Sequence, residues 1–513
     1  MHLILRSCSL FLLLTANLLP VAAAEEAFDN RQYADTTNPP DYLSQQDNLI
    51  APDNNSHQDS ASNIKSQNLN DIYRLAQQHD PTLAAARYGN TAAQEKLEQG
   101  KALLRPTINF TSGYNHSNTD ITYTGDNSVF RNNNQSEAFN TLNYGVNVNQ
   151  PVYRKQNSVQ YQQSALQVSI ADLELQQQQQ DLIMKVAQVY FDVLLAQDKL
   201  ALNQAQKSAI ASQLAQAKAN YKVGVSTITD VDEAQSKFDV VQSQEIAVSN
   251  EIENKKQAVQ ILIGQYPADF QSLQAKLALI LPTLNIPNKS ESIEQTQVNS
   301  AQPVTYLESW LQQAEQNNIA LNIKKLNYEL ASKEVELNQA GHLPTLDAVA
   351  SYNRTNANGG INGFGNDLNN TTIGLQLQIP LYQGGATSSK VREALSNQQK
   401  AIEEIEIARR KAELDTRQAY LDITSSISQA GANEQTLHST QSQLSSTTKS
   451  FKLGIRTNVD VLNAQQQVFN AKRDLLQTKY NYLLGVLKLK YATSLVQETD
   501  LDQINQQLAN SAE

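Results

Sequence analysis

Tyr221-Lys-Val-Gly224-Val-Ser-Thr-Ile-Thr-Asp230-Val returns further along the chain as Phe451-Lys-Leu-Gly454-Ile-Arg-Thr-Asn-Val-Asp460-Val. Outward from this pair the same correspondence continues. Leu103-Leu-Arg-Pro106-Thr matches Gly341-His-Leu-Pro344-Thr, Gln150-Pro151-Val-Tyr153 matches Ile379-Pro380-Leu-Tyr382, and Val189-Tyr190-Phe-Asp192 matches Ala419-Tyr420-Leu-Asp422. The chain is a tandem duplication of one long unit, and such a repeat decides how everything else is read.

Each unit changes its hydrophobic period in the same places. After Pro106 the period is two, with Ile108, Phe110, Ser112 and Tyr114 on one face and Thr107, Asn109 and Thr111 on the other. Leu142, Tyr144, Val146 and Val148 alternate in the same way with Asn143, Gly145, Asn147 and Asn149. The second unit repeats the pattern in Leu346, Ala348, Ala350 and Tyr352, then in Ile373, Leu375, Leu377 and Ile379. Two hairpins, four strands in all, are expected. Candidate lipid-level aromatics on their outer face are Phe110, Tyr114, Phe139, Tyr144 and Tyr352.

Each hairpin ends at a proline, Pro151 or Pro380, and gives way to a very long helical segment. Residues 152–223 hold neither glycine nor proline, enough for a helix of roughly 100 Å. Two adjacent apolar stripes, Leu182/Val186/Val189/Val193 and Ile183/Ala187/Tyr190/Leu194, let it touch a neighbour on each side. Gly224 and Gly454 supply tight turns, after which helices resume. Each unit therefore closes in an antiparallel helical hairpin with a glycine at its tip.

The expected organisation is a secretory signal over 1–24, with cleavage after Ala24, and a polar N-terminal extension over 25–68. The first structural repeat spans 69–290, with strands in 106–150 and a helical hairpin in 152–264. A proline-rich connector covers 265–305. The second repeat spans 306–495, with strands in 344–380 and a helical hairpin in 386–490, before a polar tail over 496–513. The single cysteine, Cys8, precedes the apolar stretch of the signal, so the mature chain is expected to have no disulfide and no lipid anchor.

After the signal, no stretch approaches the roughly 20 apolar residues of a spanning helix. A net charge of −11 argues against nucleic acid as a partner. His2, His57, His79, His116, His342 and His438 lack metal-ligand spacing, and no nucleophile with a base is evident, so neither cofactor nor metal is expected. Gly359-Gly-Ile-Asn-Gly363-Phe-Gly365 lies between two strands and reads as a hairpin loop rather than a phosphate cradle.

Four strands with an apolar and a polar face cannot stand alone in lipid. An open edge leaves backbone groups unpaired at several kcal/mol each, so spanning sheets close into barrels. A single-chain barrel needs about eight strands or more, so closure requires several chains. Two copies would make an interior filled by side chains; three would leave a lumen. Two readings compete with a duct. A secreted structural or adhesive coiled coil suits the long polar helices but not the alternating strands, and a soluble sheet packed on one face does not explain helices of such length.

Gly341-His342-Leu343-Pro344-Thr345-Leu346-Asp347, Pro380-Leu381-Tyr382-Gln383-Gly384-Gly385, Ile228-Thr229-Asp230-Val231 and Asp460-Val461-Leu462-Asn463-Ala464 resemble, in order, motifs of the TolC family. These are trimeric outer-membrane channel-tunnels of Gram-negative export systems, and the similarity covers 69–495 or so. The resemblance implies a mixed α/β membrane protein. Three chains would form a twelve-stranded outer-membrane β-barrel, continued by a periplasmic α-helical barrel with an equatorial belt. It implies a homotrimer working with a periplasmic adaptor and an inner-membrane RND pump or ABC transporter. Such a duct passes substrate without chemistry, in multidrug efflux or type I secretion.

The resemblance also assigns the helix tips. Asp460 matches a family aspartate that forms an inward ring, where three like charges would raise one another's pKa. Asn463, one turn on, stands where well-known relatives carry a second aspartate, which implies weaker cation block. Arg456 matches an arginine that latches neighbouring hairpins in the closed state, with Thr229 and Asp230 as its partners. Phe451 replaces a family tyrosine of that latch. Gly224 and Gly454 mark the tips that would open like an iris and dock the adaptor. Thr227-x-x-Asp230 and Thr457-x-x-Asp460 also fit capping boxes, a purely structural role.

Overall fold

The computed structural model describes residues 67–122, 135–268, 270, 279–282, 303–360 and 363–509. The signal, nearly all of the N-terminal extension, most of the 265–305 connector and residues 361–362 of the glycine-rich loop lie outside the described residues. The described residues all belong to the unit Asn63–Glu513.

Two short helices, α1 (Leu69–His79) and α2 (Pro81–Ala102), lead into strands β1 (Thr107–Ile121) and β2 (Gln135–Tyr153). Asp80 separates the helices: its carboxylate accepts from Thr82 N, and Pro81 occupies the first turn, where its missing N–H costs nothing. The long helix α3 (Lys155–Lys222) turns back into α4 (Ile228–Ile263). The second unit runs α5 (Pro303–Asn317), α6 (Ile319–Gln339), β3 (Thr345–Ala357), β4 (Asn366–Gln378), α7 (Ala386–Lys452) and α8 (Asn458–Ala492). At 68 and 67 residues, α3 and α7 reach about 100 Å each. Pro303, placed in the connector by the sequence analysis, is instead the first residue of α5. The stretch expected as a polar tail carries a further helix, α9 (Glu498–Ala509).

The strands form one antiparallel sheet in the order β1-β2-β3-β4. β1 pairs with β2 in the register Thr107 to Asn149, and β3 with β4 in the register Thr345 to Gln378. Between them β2 meets β3 with Asn149 opposite Val349, and the register shifts between Pro151 and Tyr153. β1 and β4 are the two sheet edges.

The core sits at the waist of the helical part. Leu182, Ile183, Val186, Ala187, Tyr190, Val193 and Leu194 of α3 are all buried, so both sequence stripes are in use. Tyr190 meets Phe270 edge-on at 5.5 Å between ring centres, and Phe191 meets Tyr480 at 6.0 Å. Tyr480 donates to Asp198 Oδ2 at 2.7 Å, and burial pushes the Asp198 carboxyl up from its ordinary range. α9 completes this belt with buried Leu501 and Ile504, and its Asn505 Oδ1 accepts from Leu69 N at 3.2 Å, joining the two ends of the described chain.

The second unit shows how the staves are assembled. The end of α8 abuts the start of α6: Asn318 Nδ2 donates to Ala492 O at 2.9 Å, and Ile319 N donates to Ser494 Oγ at 3.0 Å. The carbonyl left over at one helix end and the N–H left over at the other are each satisfied by a side chain from the facing end.

Candidate functional site: the sheet faces and the helix tips

The register settles which residues share a face. Ile108 lies opposite Val148, which lies opposite Ala350, which lies opposite Ile373. One row over, Phe110, Val146 and Tyr352 line up, and beyond them Tyr114 pairs with Leu142. Phe110, Tyr114, Ile373 and Leu375 are 67–78% exposed, an apolar face that nothing among the described residues covers. Phe139 is a correction. It pairs with Ser117, on the opposite parity from Leu142 and Tyr144, so it belongs to the polar face near the far end of the hairpin. The alternation that places 142–148 does not extend in phase to 139.

The opposite face carries Asn109, Thr111, Asn143, Asn147, Ser351, Asn353, Thr372 and Gln376. Its buried charge, Asp347, is held by Arg154 through two bonds, Nε to Oδ1 at 2.7 Å and Nη2 to Oδ2 at 2.6 Å. This fork bridges the start of α3 and strand β3 just beyond the register shift. Neither residue stands out in the sequence, although Asp347 closes the motif Gly341-His342-Leu343-Pro344-Thr345-Leu346-Asp347.

The two tips have the same backbone. Gly224 and Gly454 have φ of 77° and 75°, the left-handed region that glycine adopts without strain. Val225 N donates to Asn220 O at 3.0 Å, and Ile455 N donates to Ser450 O at 2.9 Å. Val223 and Val225 flank one glycine, Leu453 and Ile455 the other, and all four are 72–75% exposed. These apolar flanks were missed because a lone valine or leucine beside a glycine carries no period.

Both capping boxes are formed. Thr457 N donates to Asp460 Oδ2 at 2.9 Å, and Asp460 N donates to Thr457 Oγ1 at 3.2 Å. Thr227 and Asp230 repeat this at 3.0 and 3.3 Å, and Ser226 Oγ adds a third bond to Asp230 Oδ2 at 2.9 Å. Within the single chain the Asp460 carboxyl is therefore held below its ordinary range, by the Thr457 backbone N–H first and its hydroxyl second. This is the local contribution of the cap, separate from the like-charge repulsion expected within a ring of three chains. The cap favours the charged form locally, and the Arg456 guanidinium adds to it. Arg456 takes the place of Ser226, with Nη1 3.9 Å from Asp460 Oδ1. Thr229, Asn463 and Phe451 take no part in these boxes; Thr229 and Asn463 are exposed and Phe451 is half-buried.

Among the described residues no helix is long and apolar enough to cross a membrane, and no group of His, Cys, Asp or Glu is placed to hold a metal ion. What could meet lipid is the sheet.

The chain matches the family model for the outer membrane efflux protein over residues 72–265 and again over 310–493, one match per repeat. It is 31% identical over 447 residues to the outer membrane protein TolC of Vibrio cholerae, covering 87% of this chain and 94% of that protein. It is 28% identical to the proteases secretion protein PrtF of Dickeya chrysanthemi, covering 87% and 92%. Among solved structures it resembles the CmeC outer membrane channel of Campylobacter jejuni with a TM-score of 0.66, at 16% identity over 90% of this chain and 98% of that one. These relatives are channels rather than enzymes, and they do not support the secreted coiled-coil alternative. On the match in both repeats, the chain belongs to the outer membrane efflux protein family.

Proposed function

We propose that three copies of this chain close into a duct through the outer membrane and periplasm, carrying substrates delivered by an inner-membrane pump and periplasmic adaptor. The observation that carries this is the sheet: an apolar face that nothing among the described residues covers, a polar face of amides and hydroxyls, and two open edges, β1 and β4. Lipid can cover the first, water the second, and only further strands the third. Three copies of four strands make a barrel wide enough for a lumen. Similarity to TolC and to a protease secretion protein supports both efflux and type I secretion as uses of the same duct. The duct itself performs no chemistry.

The tips supply the gate. Asp460 gives one carboxylate ring at the periplasmic mouth, and Asn463 supplies a neutral ring behind it. Arg456 is assigned as the latch toward Thr229 and Asp230 of a neighbouring hairpin, with Phe451 contributing packing but no hydroxyl. The capping boxes support this reading, since they leave the guanidinium exposed and hold the carboxylates ionised. The exposed flanks of Gly224 and Gly454 would give a trimer six apolar tips, a surface for the adaptor's own helix ends.

Membrane fractionation followed by unheated SDS gels tests the duct: a heat-sensitive trimer band in outer membranes is expected, and a detergent-independent monomer overturns it. Planar-bilayer recording of Arg456→Ala tests the latch. Raised closed-state conductance is expected, and unchanged conductance removes the assignment.

A further inference from the structure

We propose that the chain carries within itself the template for its contact with the next copy. The β4 edge meets the neighbour's β1 edge in the register that β2 and β3 already show, with an amide pair, Gln383 and the neighbour's Asn109, where the internal seam has Arg154 and Asp347. The inference rests on the trimeric reading above and adds the register and the chemistry of the joint.

The two hairpins share one pairing register. Applying the repeat correspondence Pro106 to Pro344 and Pro151 to Pro380 turns the observed pair Thr107 and Asn149 into Thr345 and Gln378, which is the observed pairing of β3 with β4. The same correspondence turns the internal seam, Asn149 opposite Val349, into Gln378 opposite Thr111 of the next chain. Val146 opposite Tyr352 becomes Leu375 opposite Tyr114, and Tyr144 opposite Arg354 becomes Ile373 opposite His116.

Two independent features of the chain agree with this register. Side-chain parity is kept along the whole seam: Leu375 and Tyr114, both on the exposed apolar face, meet each other, and Gln378 and Thr111, both on the polar face, do the same. A slip by one residue would set apolar against polar throughout. The residues left over also match. Ile379 to Tyr382 follow β4 with Leu381 and Tyr382 93% and 87% exposed, and they come to lie beside Phe110 to Ile108 of β1, just as Gln150 to Tyr153 lie beside Ala348 to Leu346.

At the foot of the internal seam Arg154 forks onto Asp347, a residue only 6% exposed. The repeat places Gln383 at the Arg154 position and Asn109 at the Asp347 position. Both members change from charged to neutral together, and the pair remains complementary. Gln383 accepts from Thr387 through Oε1, which leaves its amide N–H groups to donate to Asn109 Oδ1 of the next chain. The joint between chains is thus an uncharged copy of the joint within the chain.

Cysteine pairing decides the register, because the sequence has a single cysteine, Cys8, in the expected signal and well before the strands in sequence. Directly opposed residues across an antiparallel seam lie about 5 Å apart at Cα, inside the reach of a disulfide, whereas a shift of two residues takes them to about 7–8 Å and misaligns the Cβ vectors. The variant Gln378→Cys with Thr111→Cys should run as a covalent trimer on non-reducing gels after mild oxidation. Gln378→Cys with Asn109→Cys and Gln378→Cys with Gly113→Cys should remain largely monomeric after boiling. A trimer locked by one of the shifted pairs overturns the register while leaving the duct standing. Loss of any trimer in the untouched protein overturns the duct itself.

The amide joint has its own readout, the temperature at which the unboiled trimer falls apart. Gln383→Arg and Asn109→Asp should each lower it, and the two together should restore or exceed the parent value. If the double variant loses the sum of the two single losses, Gln383 and Asn109 do not meet.

Discussion

Ser494 and Gly264 occupy equivalent positions in the two repeats, and both have a left-handed backbone, with φ of 56° and 71°. For glycine that conformation is free of strain; for serine it is not, and Ser494 is the only residue other than glycine with positive φ among the described residues. The serine is explained by its bonds. Its hydroxyl accepts from Ile319 N at the start of α6, and its carbonyl accepts from Gln180 Nε2 at 2.9 Å.

Strain and bond oppose each other at Ser494, and two substitutions separate them. Ser494→Ala keeps the strain and loses the bond to Ile319, and is expected to cost about 1 kcal/mol. Ser494→Gly loses the bond but relieves the strain, and should fall within about 0.5 kcal/mol of the parent. Thermal unfolding of the detergent-solubilised protein ranks the two; equal losses would mean the left-handed backbone carries no strain.

Breaking the Arg154 and Asp347 fork should be costly on either side. Arg154→Gln leaves a carboxylate nearly buried without its partner, and a loss of about 2 kcal/mol is expected, below the value for a fully buried pair because Arg154 is partly exposed. Arg154→Gln combined with Asp347→Asn reproduces the neutral type of joint and should recover most of that loss. Unfolding midpoints of the three variants form the cycle, and strict additivity would show that the two side chains are not coupled.

Acid should loosen the tips before the waist. A carboxyl whose folded pKa is lowered contributes stability that is fully present above its unfolded value, near 3.9, and that disappears as pH falls through the folded value. Asp230 and Asp460 are both lowered, each with its threonine's backbone N–H as the leading cause. Amide exchange at 227–231 and 457–461 is therefore expected to be constant from pH 7 to about 5 and, after correction for intrinsic rates, to accelerate below about 4. Thr457→Ala should show fast exchange at 457–461 even at neutral pH.

A second carboxylate ring should be easy to add. Asn463 is exposed one helical turn beyond Asp460, and Asn463→Asp would place three more charges near the mouth of the proposed trimer. Single-channel titration with a trivalent cation should show block at a concentration lower by roughly an order of magnitude. Asp460→Asn should shift block the other way.

Much of this was legible because repetition and period are local properties. The strands, both long helices and the two glycine turns lie where alternation, helical stripes and the repeated motif put them. Three things were not. Phe139 falls on the polar face because a strand of 19 residues is read in phase only over its clear run, and the register with Ser117 is a long-range fact. α9 reads as polar because its few apolar residues, Leu501, Ile504 and Leu508, stand among acids and amides, and the burial of Leu501 and Ile504 depends on α1 and α8 being in place. The direction of the Asp460 shift depends on bonds to Thr457 that spacing suggested, whereas like-charge repulsion depends on neighbours in the trimer.

The wall of amides and hydroxyls has a bearing on traffic. Asn143, Asn147, Asn353 and Gln376 exchange a partner with water at almost no net gain, so a passing molecule finds neither a sticky patch nor a repelling one along that stretch. Such a surface behaves like a lubricant, equally indifferent to a greasy drug and to an unfolded polypeptide. Sorting of cargo must then happen before the barrel is reached.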